Sequence, residues 1–436
     1  MSASIEIQPV TAPLDAAVRP PGSKSLTNRA LVCAALAQGP SQLTGVLDSE
    51  DTRVMIAALG DLGLSIHADH AIQTVEVQGC GGQIPKSAAD LYVANSGTTI
   101  RFLTALAGLG HGTYRLHGTP RMHERPIADL LDALAQLGVR ARSEAGTGCP
   151  PVIIEADGLR LARATVRSDV SSQFASALLL VSPCSQAQSN ETAVMIDIAG
   201  PLVSQPYVTM TLEVMKAFGA EVHAKAGLKG FKIARTGYRG RTYPIEPDAS
   251  AASYFWAAAA ITEGRVRVDG LSRASLQGDV AFCQCLEKMG CQVEYAADSV
   301  TVQGRPLRGI DVDMNGISDT VQTLAAVALF AEGPTNIRGV GHIRHKETDR
   351  IGALAHELRK LGAMVDERTD GLKITPRSTH GALIDTYDDH RMAMSLTLVG
   401  LKVRGVVIND PACTAKTYPR FFDDLAALRA SAGSHR

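Results

Sequence analysis

The chain has 436 residues, and its 45% hydrophobic content is typical of a well-packed globular protein. That length is too great for one core and fits about two domains. The net charge of −1, the aromatic content of 4% and the lack of an apolar run of membrane length argue against nucleic-acid and membrane partners.

Two kinds of predicted helix alternate along the chain, and the first kind begins with a polar N-cap followed by an apolar run. Ser, Asn and Asp at such starts accept hydrogen bonds from free backbone N–H groups. Helices that are apolar on all sides are buried. The six starts, in chain order, are Ser23-Lys24-Ser25, Asn95-Ser96-Gly97-Thr98-Thr99, Ser171-Ser172-Gln173, Asp248-Ala249-Ser250, Ser318-Asp319 and Asp388-Asp389-His390-Arg391.

The second kind of helix ends in an apolar turn followed by Gly and a short alternating strand. A Gly at that place satisfies a left-handed helix C-cap, and the alternation marks the change to a strand. The glycines at 63, 138, 219, 290 and 362 lie 75, 81, 71 and 72 residues apart. A sixth, degenerate copy at residues 421–428 reaches the chain end before its strand. The sequence therefore predicts a repeated two-helix unit.

The cysteine pattern indicates free thiols. The eight cysteines lie at 33, 80, 149, 184, 283, 285, 291 and 413, without paired C-x-x-C knuckles. Buried free thiols in a reducing compartment are expected. Asp388-Asp389-His390 lacks a partner ligand at helical spacing, so helix capping is favoured over a metal there. Residues 1–7 have neither a basic region nor an apolar stretch, which predicts a cytoplasmic protein without a signal peptide.

Basic residues gather around the predicted helix starts. The helix macrodipole disfavours a cation there unless an anion also binds, and the free N–H groups themselves attract anions. The set comprises Lys24, Arg29, Arg101, Arg121, Arg125, Lys346, Arg350, Arg391 and Lys416. Together they predict a site for a densely anionic small substrate. For any one residue, simple pairing with a nearby carboxylate, such as Glu347 with Arg350, stays an alternative.

Seven stretches carry a resemblance to a known family. They are Pro21-Gly22-Ser23-Lys24-Ser25 with Asn28-Arg29, Asn95-Ser96-Gly97-Thr98, Pro120-Arg121-Met122 with Glu124-Arg125-Pro126-Ile127, Val170-Ser171-Ser172-Gln173-Phe174, Lys346-Glu347-Thr348-Asp349-Arg350, Asp389-His390-Arg391-Met392-Ala393-Met394 and Cys413-Thr414-Ala415-Lys416-Thr417. In this order and spacing they resemble the 5-enolpyruvylshikimate-3-phosphate (EPSP) synthase family of enolpyruvyl transferases. The resemblance covers essentially the whole chain.

The resemblance implies an α/β, two-domain enolpyruvyl transferase fold of the inverse α/β barrel type. It implies six βαβαββ-like repeats, three per domain. One domain would be residues 22–244 and the other residues 1–21 plus 245–436, with the active site in the interdomain cleft.

The resemblance also implies the reaction and its residues. The 5-hydroxyl of shikimate 3-phosphate adds to C2 of phosphoenolpyruvate (PEP), and phosphate then leaves. The groups implied for shikimate 3-phosphate are Lys24, Ser25, Arg29, Ser171, Ser172, Gln173, Ser204, Tyr207, Asp319, His342 and Lys346. The groups implied for PEP are Lys24, Gly97, Arg125, Gln173, Arg350, Arg391 and Lys416.

Proton transfer requires an acid and a base. Asp319 matches the family's proton acceptor, and Glu347 and Lys24 are the other candidates for proton transfer. No metal or organic cofactor is implied, and a monomer whose only partners are the two substrates is expected. The chain departs from many family members where they carry Asn upstream of Arg344-His345-Lys346. Here it has His342 and Ile343, and His342 is expected to hydrogen-bond a phosphate.

Two alternatives stay open. The UDP-N-acetylglucosamine enolpyruvyl transferases share the fold and the PEP chemistry, but they use a loop Cys where this chain has Met122 and its neighbours. Their first motif is Lys-Asn-Ala rather than Lys24-Ser25. A non-catalytic anion-binding scaffold would have a similar composition, but it would not need Asp319 and Glu347. Phosphate release that requires both substrates would distinguish these alternatives.

Overall fold

The computed structural model describes residues 4–186 and 191–431. Residues 1–3, which belong to the stretch examined for a signal peptide, lie outside the described residues. The helices are α1 (Lys24–Leu36), α2 (Glu50–Asp61), α3 (Gly97–Ala107), α4 (Ala128–Gln136), α5 (Gln173–Val181), α6 (Gln205–Ala217), α7 (Ala249–Thr262), α8 (Phe282–Met289), α9 (Val321–Ala328), α10 (Arg350–Lys360), α11 (His390–Thr397) and α12 (Phe421–Ala430).

The strands are mostly short. They are β1 (Ser4–Ile7), β2 (Asp15–Val18), β3 (Ala37–Gln38), β4 (Pro40–Thr44), β5 (Ser65–Asp69), β6 (Thr74–Gln78), β7 (Ala88–Tyr92), β8 (His111–His117), β9 (Arg140–Ser143), β10 (Val152–Asp157), β11 (Arg163–Ser168), β12 (Ala193–Leu202), β13 (Val222–Ala224), β14 (Gly230–Ala234), β15 (Tyr238–Arg239), β16 (Thr242–Pro244), β17 (Arg265–Asp269), β18 (Gln292–Tyr295), β19 (Ser299–Gln303), β20 (Leu307–Arg308), β21 (Asp311–Asp313), β22 (Ala331–Glu332), β23 (Thr335–Arg338), β24 (Met364–Arg368), β25 (Gly371–Thr375), β26 (Leu383–Ile384) and β27 (Val406–Asn409).

The chain divides into two compact units, residues 22–245 and residues 1–21 with 246–436. In residues 22–245 one sheet topology recurs, with strand orders β16-β4-β6-β5, β7-β8-β10-β9 and β11-β12-β14-β13. The first two strands of each sheet are parallel and the remaining pairs are antiparallel. A parallel pair needs a crossover connection, which α3 provides between β7 and β8. This is the predicted βαβαββ repeat.

The other unit has the same topology, completed by the start of the chain. Its sheets have the orders β2-β17-β19-β18, β21-β23-β25-β24 and β26-β27-β1. Strand β2 supplies the first strand of the fourth repeat, parallel to β17. In the sixth copy β1 pairs antiparallel with β27, at the position that the last strand occupies in the other sheets. The N-terminal segment therefore completes two repeats whose own strands come much later in the chain.

The glycine stops are confirmed. All five have a left-handed backbone, with φ between 90° and 117°. They follow or cap α2, α4, α6, α8 and α10, and the strands β5, β9, β13, β18 and β24 come next. A residue with a Cβ rarely adopts this conformation, which explains the Gly at each position.

The predicted N-caps are confirmed at four of the six helices, while one assignment is wrong. Ser23, Ser96, Asp248 and Asp389 each accept a backbone hydrogen bond at the start of α1, α3, α7 and α11. Before α5, Ser171 accepts from the N–H of Gln173 at 3.3 Å. The pair Ser318-Asp319 does not cap α9, because a 3₁₀ turn at Asn315–Thr320 intervenes. The Asp319 carboxylate binds cations instead.

The helices that begin with a polar N-cap and continue as an apolar run form the core of each unit, as their composition predicts. Every residue of α3, α7, α9 and α11 is buried. In the unit that contains residues 246–436, one hydroxyl from each central helix joins the three together. Thr323 on α9 lies 3.1 Å from Ser253 on α7 and 3.2 Å from Ser395 on α11.

The cysteine prediction is confirmed in its main point. All eight thiols are free; Cys33, Cys283, Cys285 and Cys291 are buried, and the other four are partly exposed. Within residues 4–186 and 191–431, no helix combines the length and apolarity that a membrane crossing requires.

Candidate active site

Lys24 is the first residue of α1, where its charge opposes the helix macrodipole. Ser23 caps this helix by accepting from the N–H of Leu26 at 3.4 Å. The Lys24 ammonium lies 3.4 Å from the buried carboxylate of Asp51. Asp51 is in the first turn of α2, where a negative charge is favourable. Asp51 therefore compensates Lys24, a partnership that sequence reasoning missed.

Arg29 is almost fully buried and joins α1 to α6. Its Nε donates to Thr211 Oγ1 at 2.8 Å, Nη1 donates to the Ser25 carbonyl at 2.9 Å, and Nη2 donates to the Tyr207 carbonyl at 3.2 Å. The guanidinium carbon lies 5.3 Å from the centre of the Phe102 ring. Burial lowers the pKa of Arg29 to about 10, so the group stays cationic at neutral pH. Arg29 thus brings the predicted residues Ser25 and Tyr207 together.

Ser204 lies directly before α6 in a left-handed conformation, with φ of 50°. The N–H of Tyr207 donates to the Ser204 carbonyl at 3.0 Å. Non-glycine residues in this region are strained and concentrate at functional sites. The left-handed backbone of Ser204 supports a functional role for it, and no local sequence pattern predicts this conformation.

Gln173 and Arg101 connect the starts of α5 and α3. Arg101 Nη1 donates to Gln173 Oε1 at 2.6 Å, and Gln173 Nε2 donates to Thr98 Oγ1 at 3.1 Å. Arg101 also donates to the carbonyl of Pro126 at 3.2 Å. The sequence analysis counted Arg101 among the cations of the predicted anion site, but the resemblance implied no substrate contact for it. Its place one helical turn after Gly97 was the available signal.

Gly97 and Arg125 are in direct contact. Arg125 is 4% exposed, and its Nη1 donates to the Asn95 carbonyl at 2.8 Å and to the Asn95 side-chain oxygen at 3.2 Å. A Cβ added to Gly97 would lie 2.3 Å from Arg125 Nη2. A side chain at position 97 would therefore displace the Arg125 guanidinium, which the sequence analysis did not predict.

Asp319 is surrounded by three cations in the other unit. Its carboxylate lies 2.5 Å from Lys346 Nζ, 2.8 Å from Arg391 Nη2 and 3.4 Å from Arg350 Nη1. The partners are separated from Asp319 by 27 to 72 residues of chain. Carboxylate and cations at these distances favour each other's charged forms. Four of the predicted site residues thus form one cluster.

Arg350 is almost fully buried and forms ion pairs with three carboxylates, those of Asp319, Glu347 and Asp389. It binds the Asp389 carboxylate through Nε at 2.7 Å and Nη2 at 3.1 Å, the forked geometry typical of Arg. Its Nη2 also lies 2.8 Å from Glu347. Burial alone would lower the pKa of Arg350. The negative charges of Asp389, Glu347 and Asp319 have the larger effect, so the pKa lies above its usual value.

Asp389 connects the two arginines of the cluster. Besides Arg350, it accepts a hydrogen bond from the N–H of Arg391 at 2.9 Å, as the cap of α11. The Arg391 side chain also reaches the Tyr254 hydroxyl at 3.4 Å. Burial raises the pKa of Tyr254 to about 12, so this hydroxyl stays protonated. Sequence reasoning identified Asp389 only as a cap.

Lys346 and His342 lie on the same short segment beside Asp319. Burial lowers the pKa of Lys346, and the adjacent Asp319 opposes that change. Burial and the charge of Lys346 lower the pKa of His342 to about 3. The His342 ring is therefore neutral at physiological pH and has one N–H to donate.

Lys416 is not at a helix start, so that part of the sequence interpretation is wrong. It is the last residue of a 3₁₀ turn, Pro411–Lys416, and α12 begins at Phe421. Arg121 and Arg125 likewise lie in and after a 3₁₀ turn, Pro120–Glu124. Lys416 is 5% exposed. Burial raises the pKa of the Asp388 carboxyl, and the charge of Lys416 partly opposes that change.

The described residues contain no group of three or more His, Cys, Asp or Glu arranged to hold a metal ion. In the Asp388-Asp389-His390 stretch, Asp389 is occupied by the two arginines. Each unit instead presents a set of cations. Lys24, Lys346, Arg350 and Arg391 are paired with the protein's own carboxylates. Arg29, Arg101 and Arg125 donate to hydroxyl, carbonyl and amide oxygens. Such a set can bind phosphate and carboxylate groups and can move protons through Asp319 and Glu347.

The chain has the fold of an enolpyruvyl transferase. It is similar to the solved structure of the enolpyruvyl transferase NikO from Streptomyces tendae, with a TM-score of 0.74 and 23% identity over 98% of each chain. It is also similar to the structure of EPSP synthase from Acinetobacter baumannii, with a TM-score of 0.79 and 25% identity over 99% of this chain and 98% of that one.

Sequence comparison identifies the particular family. Residues 9–425 match the family described as EPSP synthase (3-phosphoshikimate 1-carboxyvinyltransferase). A relative from Nostoc punctiforme, named 3-phosphoshikimate 1-carboxyvinyltransferase, is 48% identical over 96% of this chain and 97% of its own length. The chain therefore belongs to the EPSP synthase family.

Proposed function

We propose that this protein transfers the enolpyruvyl group of PEP to the 5-hydroxyl of shikimate 3-phosphate and releases phosphate. The observation that carries this proposal is the Asp319 carboxylate, held by Lys346, Arg350 and Arg391 with Glu347 on the same Arg350. An anion-binding site needs carboxylates only to compensate its buried cations, whereas the addition of a hydroxyl to PEP also needs groups that accept and donate protons. Membership in the EPSP synthase family supports the same reaction.

We assign the substrate contacts by the chemistry of the groups. Shikimate 3-phosphate and PEP each carry a phosphate and a carboxylate, so cations and neutral donors must receive four anionic groups. The set for shikimate 3-phosphate is Lys24, Ser25, Arg29, Ser171, Ser172, Gln173, Ser204, Tyr207, Asp319, His342 and Lys346. The set for PEP is Lys24, Gly97, Arg125, Gln173, Arg350, Arg391 and Lys416.

The reaction proceeds by addition and then elimination. Asp319 accepts the proton of the 5-hydroxyl while the oxygen forms a bond to C2 of PEP. Glu347 or Lys24 supplies the proton that C3 gains, which gives a tetrahedral intermediate. The bond between C2 and the phosphate oxygen then breaks, and C3 returns a proton, which leaves the enolpyruvyl ether and phosphate. The ion pair with Arg350 keeps Glu347 in place for both transfers.

Arg350 and Arg391 are suited to receive the negative charge of PEP. Arg350 is already oriented by Asp389, and Arg391 is oriented by Asp319, so little reorganisation is needed on binding. Because guanidinium groups can carry this charge, the proposed reaction requires no metal and no organic cofactor. We also propose a cytoplasmic monomer, consistent with the small net charge and free thiols.

The segment around Met122 disfavours the UDP-N-acetylglucosamine alternative. Met122 is fully buried in the turn Pro120–Glu124 and takes the place of a reactive loop cysteine. Burial raises the pKa of the nearest downstream thiol, Cys149, which disfavours its thiolate.

Phosphate release tests the proposed function. The purified protein is incubated with PEP alone, with shikimate 3-phosphate alone and with both, and the product is identified by mass spectrometry. Phosphate and the enolpyruvyl ether should form only with both substrates. Phosphate release with UDP-N-acetylglucosamine in place of shikimate 3-phosphate would assign the other transferase. Binding of both ligands without any release would indicate the anion-binding scaffold.

A further inference from the structure

The segment just before α11 contains two strained residues in a row. Tyr387 has φ of 56° and Asp388 has φ of 52°, both in the left-handed region. A residue with a Cβ is uncommon there, and strain of this kind persists only where the surroundings hold it. The next residue is Asp389, which binds both Arg350 and Arg391. The strained turn therefore sets the start of the helix that carries Arg391.

A buried carboxylate, Glu357, holds this turn. It is 0% exposed, and its Oε1 accepts from the Tyr387 hydroxyl at 2.6 Å. Its Oε2 accepts from the N–H of Asp385 at 3.2 Å and lies 3.0 Å from Lys360 Nζ. A buried carboxylate is unfavourable unless such partners compensate it. Glu357 thus contacts the strained residue Tyr387 and the backbone two residues before it, and it has no place in the reaction described above.

Both ends of helix α10 therefore contact the segment of residues 385–389. Arg350, the first residue of the helix, donates to the Asp389 carboxylate. Near the last turn, Glu357 accepts from the Tyr387 hydroxyl and Lys360 donates to the Asp385 carboxylate. Tyr387 is 39% exposed; partial burial of its hydroxyl and the neighbouring Glu357 raise its pKa, which keeps it a hydrogen-bond donor. The two contacts cooperate, because a turn fixed at one end only could relax.

We propose that Glu357 and Tyr387 are positioning residues for PEP binding: they fix the strained turn and thereby the placement of Asp389 and Arg391. This inference rests on the proposed assignment of Arg350 and Arg391 to PEP. It predicts an effect on PEP that does not extend to shikimate 3-phosphate, whose remaining proposed contacts are largely in residues 22–245.

The test uses Tyr387→Phe, which removes only the hydroxyl. The KM for PEP should rise about tenfold, while the dissociation constant of shikimate 3-phosphate and the melting temperature stay close to native. Glu357→Gln keeps one acceptor oxygen for Tyr387 but turns a donor toward the Asp385 N–H and Lys360, so it should also raise the KM for PEP. The matched control is Tyr92→Phe, at a half-exposed tyrosine in residues 22–245, which should leave both constants unchanged.

Arg391→Ala, measured in parallel, separates failure of this inference from failure of the site assignment. If Arg391→Ala leaves the KM for PEP unchanged, the assignment of Arg391 fails and the inference fails with it. If Arg391→Ala raises that KM but Tyr387→Phe does not, only the positioning role is wrong. Equal weakening of both substrates by Tyr387→Phe, or a loss of folded protein, would also overturn it, since a general structural role would act in that way.

Discussion

Each of the three cations around Asp319 is paired with at least one carboxylate. Arg350 is paired with Asp389 and Glu347, and Lys346 and Arg391 are paired with Asp319. Buried cations need such partners because an uncompensated charge is costly to bury. An arriving phosphate or carboxylate must therefore compete with, or add to, these existing pairs.

Asp319 and Glu347 should be required for turnover more than for binding. Asp319→Asn and Glu347→Gln preserve size but cannot accept a proton, so kcat should fall by roughly 10²-fold or more. Steady-state kinetics together with direct binding of shikimate 3-phosphate measures both effects. Asp366→Asn, which breaks an exposed pair with Arg368, is the matched control. Near-normal turnover in both site variants would show that neither group transfers a proton in a rate-relevant step.

His342 should make folding stability depend on pH. Its pKa is about 3 in the fold and 6.5 when unperturbed, so between these values the unfolded chain binds the additional proton. Stability from this group is therefore complete above pH 6.5 and is lost as the pH falls toward 3. At pH 5 the loss is about 2 kcal/mol.

Urea unfolding at pH 8 and pH 5 checks this expectation. In His342→Asn the difference in unfolding free energy between the two pH values should be about 2 kcal/mol smaller than in the native protein. The same change at the exposed His67 serves as the control. An unaltered difference in His342→Asn would mean that His342 is not held neutral by burial.

At the level of elements, the local sequence predicted helices and their stops well. The left-handed glycines and the capping Ser and Asp residues act through neighbours within four positions, so a short window contains the whole signal. Gly63 and Ser23 are examples.

Predictions that depended on distant partners were less complete. Asp319 looks like a cap locally, but cations from residues 346, 350 and 391 take its carboxylate. The resemblance implied a site role for Asp319. Arg101 was predicted as a cation and Asp389 as a cap, but the pairing of Arg101 with Gln173 and of Asp389 with Arg350 was not predicted. Apart from the position of Arg101 one helical turn after Gly97, the sequence contains no signal for such pairings.

Two glycine substitutions should have opposite effects on stability. Gly362→Ala forces a Cβ into a position with φ of 95°, at 2.6 Å from the Ser378 carbonyl oxygen. It should destabilise the protein by more than about 1 kcal/mol. Gly60→Ala lies inside α2 with nothing within 4 Å of the new Cβ. It should stabilise by about 0.5–1 kcal/mol, since Ala favours helix. Urea denaturation of both variants checks this, and the same sign for both would contradict the role given to the left-handed stop.

The chain consists of six copies of one repeat, but its first two strands belong to the sixth and fourth copies rather than to the first. Strands β1 and β2 complete sheets whose other strands lie more than 240 residues later, as Ala16 opposite Val266 shows. Local patterns could not reveal this, because four-residue strands such as these are short and pair only with distant partners. The repeat itself could be predicted, whereas the way in which its ends are completed could not.

Deletion of residues 1–7 should therefore weaken one unit selectively. It removes β1 from the edge of β27 and also the Ile7 side chain, which is 4% exposed. The buried side chain alone contributes about 1.5–3 kcal/mol, so the melting temperature should fall by several degrees. Hydrogen exchange locates the effect: amides of Val406–Asn409 should lose protection, because their ladder partner is gone. Amides of the strands in residues 22–245 should keep their native rates, since their three four-stranded sheets contain neither β1 nor β2. A uniform loss of protection across both units would mean that the two units unfold as a single cooperative body and that the N-terminal strand stabilises the whole chain.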